Sequence, residues 1–436
     1  MTKRVHEIRD PIHIFIHLDS DERRVVDCRA YQRLRHIHQL ALTFLVYPGA
    51  THRRFEHALG VMELAGRVFD IVTADWNLTD NKVRDIIPDR DALPYWRRVL
   101  RMAALCHDIG HLPFSHGAED LLPEGRHHED LTVDLLRSDE MRQIWKSMKP
   151  PLDVEDLVKI AVGPKVVGKD VVFDAWETIL TSILTGDAFG VDRMDYLLRD
   201  SLHAGVAYGK FDHYRLIETL RILPSFEDNV EFPMLGIEEG GIHAAEALLL
   251  ARYFMFTQLY LHPIRRIYDI HLKDFLTLWL SGGKFSIHLE DHLRMTDNEV
   301  LVAIQNAAYD SGDPAYDPAR RIFHRQHFKI LYGRNPNDLQ INVEASKAVF
   351  EAACKNFGPE NFRHDPYKKG NKVDDYPVLF DDSRVVSSLS SSHILAGLDS
   401  AAIDYVFVAP ELSKEAHKWL EKNREEIIQP KVEAEP

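Results

Sequence analysis

The stretch RMAALCHDIGHLPFSH, residues 101–116, decides the interpretation of this chain. An apolar run with helical spacing ends at the adjacent pair His107 and Asp108. Gly110 then breaks the helix, and His111 follows in a loop that contains a proline. Because a side chain at the end of a buried helix is held in place, the adjacent imidazole and carboxylate can chelate one cation.

Two further residues extend this pair to a set of four metal ligands. His57 lies upstream in HRRFEHALG, and Asp192 lies downstream in GVDRMDYLLRD. Two imidazoles and two carboxylates suit Mn, Fe, Ni, Zn or Co, and Mg less well. A hydrolytic metal also needs an open position for water, whose pKa it lowers toward roughly 7. The order H…HD…D therefore predicts a divalent-metal hydrolase.

Histidines near this set are candidates for proton transfer. Cleavage of a phosphate ester needs a proton donor for the leaving oxygen or a base for water, and histidine titrates in the useful range. His111 and His128 could fill this role, with Glu119 or Glu129 orienting an imidazole. The alternatives are that His111 caps the preceding helix and that His128 is an exposed helix start.

Basic and aromatic residues lie at helical spacing from the ligands. Arg54 lies three residues before the first histidine ligand, on the same helix face. Asp192, Tyr196 and Asp200 fall at i, i+4 and i+8, with Arg193 beside them. A metal ligand, a ring and a carboxylate on one face could align with the phosphate, sugar and base of a nucleotide, although a charged stripe is more often a solvated face.

Composition limits the function classes. The chain has 436 residues and a formal net charge of -15, which argues against nonspecific nucleic-acid binding. Three scattered cysteines do not form a disulfide framework, and a reducing cytoplasm is the expected compartment. No run approaches the roughly 18 apolar residues of a membrane span, and the N-terminal segment lacks the apolar core of a signal peptide. We expect no membrane association.

Apolar periodicity predicts a mostly α protein, with a helical core over residues 1–333 and a smaller mixed α/β lobe over 334–436. The helices most relevant to the site are expected at residues 52–74, 96–108, 127–148, 187–200, 243–260 and 318–332. In the lobe, QINVEA, YPVLF and YVFVAP predict strands, and residues 411–427 predict a final helix.

The motifs together resemble the HD-domain phosphohydrolases, and among them the deoxynucleoside triphosphate triphosphohydrolases, especially the vertebrate sterile-alpha-motif and HD-domain enzyme and its bacterial relatives. The matching stretches are DPIH, YQRLRHIHQL, YPGATHRRFEHALGV, LCHDIGHLPFSH, the His128-Glu129 pair and VDRMDYLLRD. The resemblance implies an HD-domain helical core that acts as a homo-oligomer, a tetramer or dimer of dimers. It implies attack at the α-phosphorus, which releases deoxynucleoside and intact tripolyphosphate.

The resemblance also implies roles residue by residue. The metal ligands would be His57, His107, Asp108 and Asp192, and the catalytic residues His111, His128 and Glu119, where the family often has Asp. The triphosphate would be held by Arg54, His116, Arg193 and Arg252, of which Arg193 replaces a family Lys. The sugar would contact Gln39, Leu40, Tyr196, Asp200 and Tyr260, with Gln39 and Asp200 on the 3′-hydroxyl and Tyr196 leaving little room for a 2′-hydroxyl.

A second resemblance concerns regulation by a guanine nucleotide. Asp27, Gln32 and Arg35 match residues that recognise this nucleotide at an allosteric site between subunits. The segment RQHFK, with Arg325 and Lys329, resembles the basic segment that completes that site. The resemblance thus implies GTP or dGTP as an activator, while a solvated helix surface is the alternative for the first three residues.

Two other functions stay open from the sequence. One is an HD-type phosphatase or phosphodiesterase for nucleoside monophosphates, cyclic nucleotides or short oligonucleotides. Three arginines argue against it, because they exceed what a monophosphate needs. The other is a nucleotide-sensing or single-strand-binding protein with a vestigial site, against which the intact ligand set and the acidic charge argue.

Overall fold

The computed structural model describes residues 5–78, 81–168, 170–227, 230–368, 375–398 and 401–429. The described chain is mostly helical with three small sheets, which confirms the predicted fold class. It is organised as two compact units. The first comprises residues 1–255, 285–299 and 373–398, and the second comprises 256–284, 300–372 and 399–436. The expected boundary after residue 333 stays a prediction.

The helices, in chain order, are α1 (Ser20–Val26), α2 (Arg29–Arg33), α3 (Arg54–Val72), α4 (Asn81–Arg84), α5 (Leu93–Cys106), α6 (His128–Leu136), α7 (Asp139–Ser147), α8 (Val154–Val162), α9 (Pro164–Val167), α10 (Ala175–Thr185), α11 (Val191–Ala204), α12 (His213–Glu218), α13 (Ile242–Met255), α14 (Pro263–Trp279), α15 (Leu289–Arg294), α16 (Asp297–Tyr309), α17 (Tyr316–Phe323), α18 (Pro336–Ile341), α19 (Ala345–Phe357), α20 (Ser388–Ser391), α21 (His393–Ala396) and α22 (Ser413–Ile427). The strands are β1 (Val5–Asp10), β2 (Ile14–Asp19), β3 (Leu220–Glu227), β4 (Val230–Glu238), β5 (Lys329–Gly333), β6 (Phe362–Lys368), β7 (Pro377–Leu379), β8 (Val385–Ser387) and β9 (Ala402–Val408). Among these helices, none is long and apolar enough to cross a membrane.

The core of the first unit is built on α3 and α5, which pack against each other. On α3 the predicted apolar face is buried, from Phe55 to Val72. Helix α5 starts with Pro94 in its first turn, where proline costs no hydrogen bond, and reaches His107 as its C-cap. The metal-ligand pair therefore lies at the end of a helix embedded in the core.

Two predicted helix boundaries in this unit are wrong. Residues 127–148 form α6 and α7 because Ser138 is extended and its hydroxyl caps the amide of Met141. Helix α11 begins at Val191 and not at residue 187, since Gly190 has the extended conformation of an N-cap residue. The second change leaves Asp192 in the first helical turn.

A four-stranded sheet completes the first unit, in the order β3-β4-β7-β8. The β3–β4 hairpin was not anticipated from the sequence. The predicted strand YPVLF is confirmed as β7, which pairs in parallel with β4. A two-stranded antiparallel sheet of β1 and β2 begins the described chain.

The second unit contains an antiparallel sheet in the order β5-β9-β6, with α19 and α22 in its core. The predicted strand YVFVAP is confirmed as part of β9. The predicted strand QINVEA is wrong, because Asn335 caps α18 and the segment ends that helix and begins α19. The expected helix over 318–332 is also wrong beyond Phe323, since Arg325 has a positive φ of 56° and β5 follows.

Candidate active site

The four predicted metal ligands lie together in the first unit. His57 projects from α3, His107 and Asp108 follow α5, and Asp192 lies in the first turn of α11. His57 Nε2 is 3.0 Å from Asp192 Oδ1 and 3.8 Å from Asp108 Oδ2. His107 Nε2 is 3.4 Å from Asp108 Oδ1 and 3.5 Å from Asp192 Oδ1. The helix end and the two helices thus converge on one point.

The donor set fits a divalent cation. His107 donates its Nδ1–H to the carbonyl of Ala104 at 2.8 Å, so Nε2 carries the lone pair. That Nε2 is buried and has no hydrogen-bond partner among the described residues. An orphaned imidazole lone pair beside two carboxylates is costly without a ligand, and a cation would satisfy it.

The charges around this point favour ionised carboxylates. Burial alone would raise the pKa of Asp108, but Arg54, His107 and His111 hold it well below its usual range. The pKa of Asp192 is likewise depressed by its two histidine neighbours against the effect of burial. Burial opposes the charge on His57, yet hydrogen bonds to Asp192 and Asp195 raise its pKa to about 10. A cation at Nε2 would take the place of that proton.

The candidate catalytic histidines lie directly beside the ligands. His111 Nε2 is 3.2 Å from Asp108 Oδ1, and the rings of His111 and His128 stack with centroids 3.8 Å apart. His128 Nδ1 is paired with Glu119 and lies 3.2 Å from Glu129 Oε2. Burial, then the charges of Arg54 and His128, lower the pKa of His111 well below its usual range. His111 is therefore a neutral imidazole, and it stacks on His128, which is held by two carboxylates.

Close backbone packing sets the position of α6 relative to the ligands. A Cβ on Gly110 would lie 2.2 Å from the carbonyl oxygen of His128, so only glycine fits there. Thr132 Oγ1 accepts a hydrogen bond from Gly110 N at 3.1 Å and donates to His107 O at 3.2 Å. These contacts fix His128 beside the turn that carries the ligands.

Of the three predicted phosphate-binding arginines, one contacts a ligand candidate and two bind the loop that precedes α11. Arg54 donates to Asp108 Oδ2 and, at 2.7 Å, to Ser115 Oγ. Arg193 and Arg252 both donate to the carbonyl of Asp187, in the loop before α11, the latter at 3.1 Å. Burial raises the pKa of Tyr196, while the charges of Arg193 and Arg252 oppose the rise. The charges of Asp192, Arg193 and Arg252 therefore all act on the Tyr196 hydroxyl.

Two of the predicted sugar-binding residues are linked through His52. The amide of Gln39 donates to His52 O at 3.0 Å, and His52 Nε2 lies 2.7 Å from Asp200 Oδ1. The side-chain oxygen of Gln39 is buried and has no hydrogen-bond partner among the described residues. Leu40 is also buried. The structure thus connects Gln39 and Asp200 through one histidine.

Two predicted substrate-binding residues are not placed in this group. His116 lies in a 3-10 turn, Ser115–Gly117, and its side chain lies outside the described residues. Tyr260 ends a π-helical turn of the second unit, and its ring is 5.2 Å from that of Phe256. Both roles stay predictions.

The predicted allosteric residues form two local groups, one in each unit. In the first, Arg35 Nε donates to Gln32 Oε1 at 2.9 Å and its guanidinium lies over Phe55, while Asp27 is paired with Arg23. In the second, Lys329 Nζ lies 3.4 Å from the Nε2 atom of His327, which follows Arg325 by two residues. The guanine-nucleotide site stays a prediction.

Sequence reasoning missed several buried residues behind the ligands. Asp195 is fully buried and contacts the far side of His57, with His13 and Arg199 around it. Asp297 is equally buried and accepts the amide of Phe114, in the loop after His111. The DPIH motif and the i, i+4 spacing of Asp195 and Arg199 were the available signals.

This chain is similar to known protein families and to solved structures. The model of the HD domain matches residues 54–166, and that of the HD associated region matches 211–354. The uncharacterized protein YwfO of Bacillus subtilis is 32% identical over 76% of this chain and 72% of its own length. The deoxynucleoside triphosphate triphosphohydrolase SAMHD1 of Mus musculus is 30% identical over 79% of this chain and 57% of its own length.

A solved structure of a hypothetical protein from Aquifex aeolicus is 32% identical, with a TM-score of 0.77, and covers 95% of this chain and 100% of its own. This chain spans only about half the length of some curated relatives that it matches, including the mouse enzyme. The HD-domain match includes His57, His107 and Asp108, and Asp192 lies between the two matched regions. The chain belongs to the family of HD-domain proteins in which an HD domain is followed by an HD-associated region.

Proposed function

We propose that this HD-domain protein is a metal-dependent hydrolase of deoxynucleoside triphosphates that releases deoxynucleoside and tripolyphosphate. The observation that carries the proposal is that Arg54 contacts the ligand candidate Asp108, while Arg193 and Arg252 both bind the carbonyl of Asp187, five residues before Asp192. Three guanidinium groups suit the charge of a triphosphate better than that of a monophosphate. The relative SAMHD1, which bears the name of this activity, supports the same substrate.

The cation would be held by His57, His107, Asp108 and Asp192. When bound, a divalent transition metal such as Mn, Fe, Co, Ni or Zn supplies Lewis-acid stabilisation of phosphoryl charge, and Mg is a weaker fit. Arg54 contacts Asp108 directly and would bring positive charge to the phosphate nearest the ligands.

The reaction balances as the addition of one water molecule. Its oxygen bonds to the α-phosphorus while the bond from that phosphorus to the 5′ oxygen breaks, and a proton is transferred to the leaving oxygen. His111 and His128 lie beside the ligands and are the proposed proton-transfer groups, with Glu119 holding His128. No redox partner is required.

Selection of the deoxy sugar would reside with Gln39, Asp200 and Tyr196. The unpartnered oxygen of Gln39 can accept the 3′-hydroxyl, and Asp200 is positioned by His52 to do the same. Tyr196 is a bulky ring beside Arg193, where it would exclude a 2′-hydroxyl. Leu40, His116 and Tyr260 remain proposed contacts of the same ligand.

The proposed enzyme would also be regulated by a guanine nucleotide and would assemble as an oligomer. GTP or dGTP would bind Asp27, Gln32 and Arg35, with Arg325 and Lys329 completing the site in a cytoplasmic homo-oligomer, a tetramer or dimer of dimers. Arg35 and Gln32 are hydrogen-bonded to each other, so these two proposed contacts of the nucleotide lie side by side.

The test is a product assay. Purified protein is incubated with each deoxynucleoside triphosphate and Mn, Co, Fe or Mg, with and without GTP, and products are separated by anion exchange. Deoxynucleoside with tripolyphosphate is expected. Inactivity on every triphosphate, with cleavage of monophosphates or cyclic nucleotides, would instead establish the phosphatase or phosphodiesterase alternative.

A further inference from the structure

The buried carboxylate of Asp195 contacts a metal-ligand candidate from behind. Its Oδ2 accepts hydrogen bonds from His57 Nδ1 at 2.9 Å and from Arg199 Nε at 2.8 Å. Its Oδ1 accepts from His13 Nε2 at 2.7 Å and from Arg199 Nη2 at 2.9 Å. Side-chain exposure of Asp195, His13 and Arg199 is 0%. Four N–H donors thus converge on one carboxylate.

This arrangement determines which nitrogen of His57 is available. An ionised carboxylate only accepts hydrogen bonds, so His57 must carry a proton on Nδ1. Nε2 is then the nitrogen that faces Asp108 and Asp192, where a cation would take the place of a proton. A histidine that ligates a metal commonly donates its other N–H to a carboxylate, which fixes both the tautomer and the ring orientation.

The DPIH motif holds this carboxylate from the N-terminal side. Asp10 Oδ1 accepts the amides of Ile12 and His13, both at 2.8 Å, which fixes the turn between β1 and β2. Asp10 Oδ2 accepts from Arg199 Nη1 at 2.9 Å. The turn therefore holds both His13 and Arg199, the two residues that bind Asp195 together with His57.

A glycine in helix α3 leaves space for the side chains of Asp195 and Arg199. A Cβ on Gly60, one turn after His57, would lie 1.9 Å from Asp195 Oδ1 and 2.5 Å from Arg199 Nη2. Only glycine permits the helix backbone to approach the buried pair so closely. The side chain of His57 and the backbone of its own helix consequently contact the same carboxylate.

We propose that Asp195 is a positioning residue that orients His57 for the cation, and that the Asp10–His13 turn holds Asp195 in place. The inference rests on the proposed metal site and assigns a role to the N-terminal motif. Disruption of the turn would then weaken metal binding from a point outside the ligand set.

A purely structural ion pair is the competing explanation, and another buried pair in the same unit provides the matched control. Glu22 accepts from Arg101 Nε at 2.6 Å, and both side chains are buried, but neither contacts a ligand candidate. Glu22→Gln should lower stability without changing metal affinity. Asp195→Asn keeps the size of the side chain but cannot accept four hydrogen bonds.

The experiment measures Mn(II) affinity by equilibrium dialysis and the visible spectrum of the Co(II) form, without nucleotide. Asp195→Asn should weaken Mn(II) binding about 10- to 100-fold and alter the Co(II) spectrum. His13→Gln, a milder change that serves if Asp195→Asn does not fold, should weaken binding by a smaller factor in the same direction. The Glu22→Gln protein should match the wild type in both measurements.

Unchanged Mn(II) affinity and an unchanged Co(II) spectrum in both site variants would overturn the inference, and so would a wild-type protein that binds neither ion. A failure of the proposed substrate assignment can be distinguished from a failure of this inference. If the wild type binds metal and Asp195→Asn weakens it, the positioning role holds even when no deoxynucleoside triphosphate is hydrolysed.

Discussion

Asp297 holds the loop that follows His111 through a buried hydrogen bond. It lies at the start of α16 with 0% exposure, and its Oδ1 accepts the amide of Phe114 at 2.8 Å. Its Oδ2 accepts the amide of His38 at 2.7 Å and lies 2.6 Å from the Nδ1 of the same histidine. Replacement by alanine would leave two buried backbone amides without an acceptor.

The cost follows from these contacts. Each orphaned amide costs about 1–3 kcal/mol, so Asp297→Ala should lose about 4 kcal/mol of unfolding free energy. Phe114 and Ser115 have positive φ angles of 56° and 55°, a strained conformation that such hydrogen bonds maintain. Because Ser115 Oγ accepts from Arg54, the loop should rearrange and turnover should fall as well.

The assay combines urea unfolding with turnover. Asp297→Asn retains one acceptor oxygen and should lose roughly half as much stability as the alanine variant. The control is Asp310→Ala, whose carboxylate accepts the amide of Gly312 at 2.9 Å on the surface and should cost less than about 1 kcal/mol. A loss below about 1 kcal/mol in Asp297→Ala, with unchanged turnover, would refute the reasoning.

Three further predictions concern the ligands, the triphosphate and pH. His107→Ala should abolish turnover and remove bound metal while the circular dichroism spectrum is retained. The control variant His243→Ala, at an exposed histidine, should keep both turnover and bound metal. A fully active His107→Ala protein would contradict the proposed metal site. Arg252→Ala should raise KM for a deoxynucleoside triphosphate at least tenfold, which corresponds to about 1.4 kcal/mol of binding free energy, with unchanged Mn(II) affinity. An unchanged KM would speak against the proposed contact between Arg252 and the triphosphate. Burial and nearby guanidinium groups lower the pKa of His271 to about 3, and its Nε2 accepts the amide of Phe328 at 3.2 Å. The unfolded chain binds a proton at His271 from about pH 6.5 downward and the folded chain does not, so the protein should lose about 2 kcal/mol of stability by pH 5. His271→Gln should flatten this pH dependence in urea titrations. Parallel pH profiles of the wild type and the variant would disprove the lowered pKa of His271.

The sequence predicted the helices that carry the site and the residues that converge there. The apolar face of α3 and the run before His107 have the period of a buried helix, so their orientation followed from local pattern. The order H…HD…D then selected His57 and Asp192, which the structure brings to 3.0 Å. The roles of these two residues remain predictions, but the sequence alone predicted that they lie close together.

Long-range partners could not be found in the same way. His13 and Asp195 are 182 residues apart, and His38 and Asp297 are 259 apart. A lone aspartate on a helix has no period that distinguishes a buried acceptor from a solvated surface residue. Only tertiary packing separates the two cases.

The errors in secondary structure have local causes. QINVEA alternates apolar and polar residues as a strand does, but Asn335 and Pro336 start a helix just before it. The apolar spacing after α17 continued a helical pattern that Arg325 interrupts with a left-handed conformation. In both places a single capping or turn residue outweighed the periodicity.

The central claim is tested most directly by hydrolysis of a deoxynucleoside triphosphate in water enriched in oxygen-18, with Mn(II) present, followed by phosphorus NMR and mass spectrometry. The account predicts tripolyphosphate that carries one labelled oxygen on a terminal phosphorus, together with unlabelled deoxynucleoside. Label in the 5′-hydroxyl of the deoxynucleoside, or release of orthophosphate or pyrophosphate in place of tripolyphosphate, would contradict attack at the α-phosphorus.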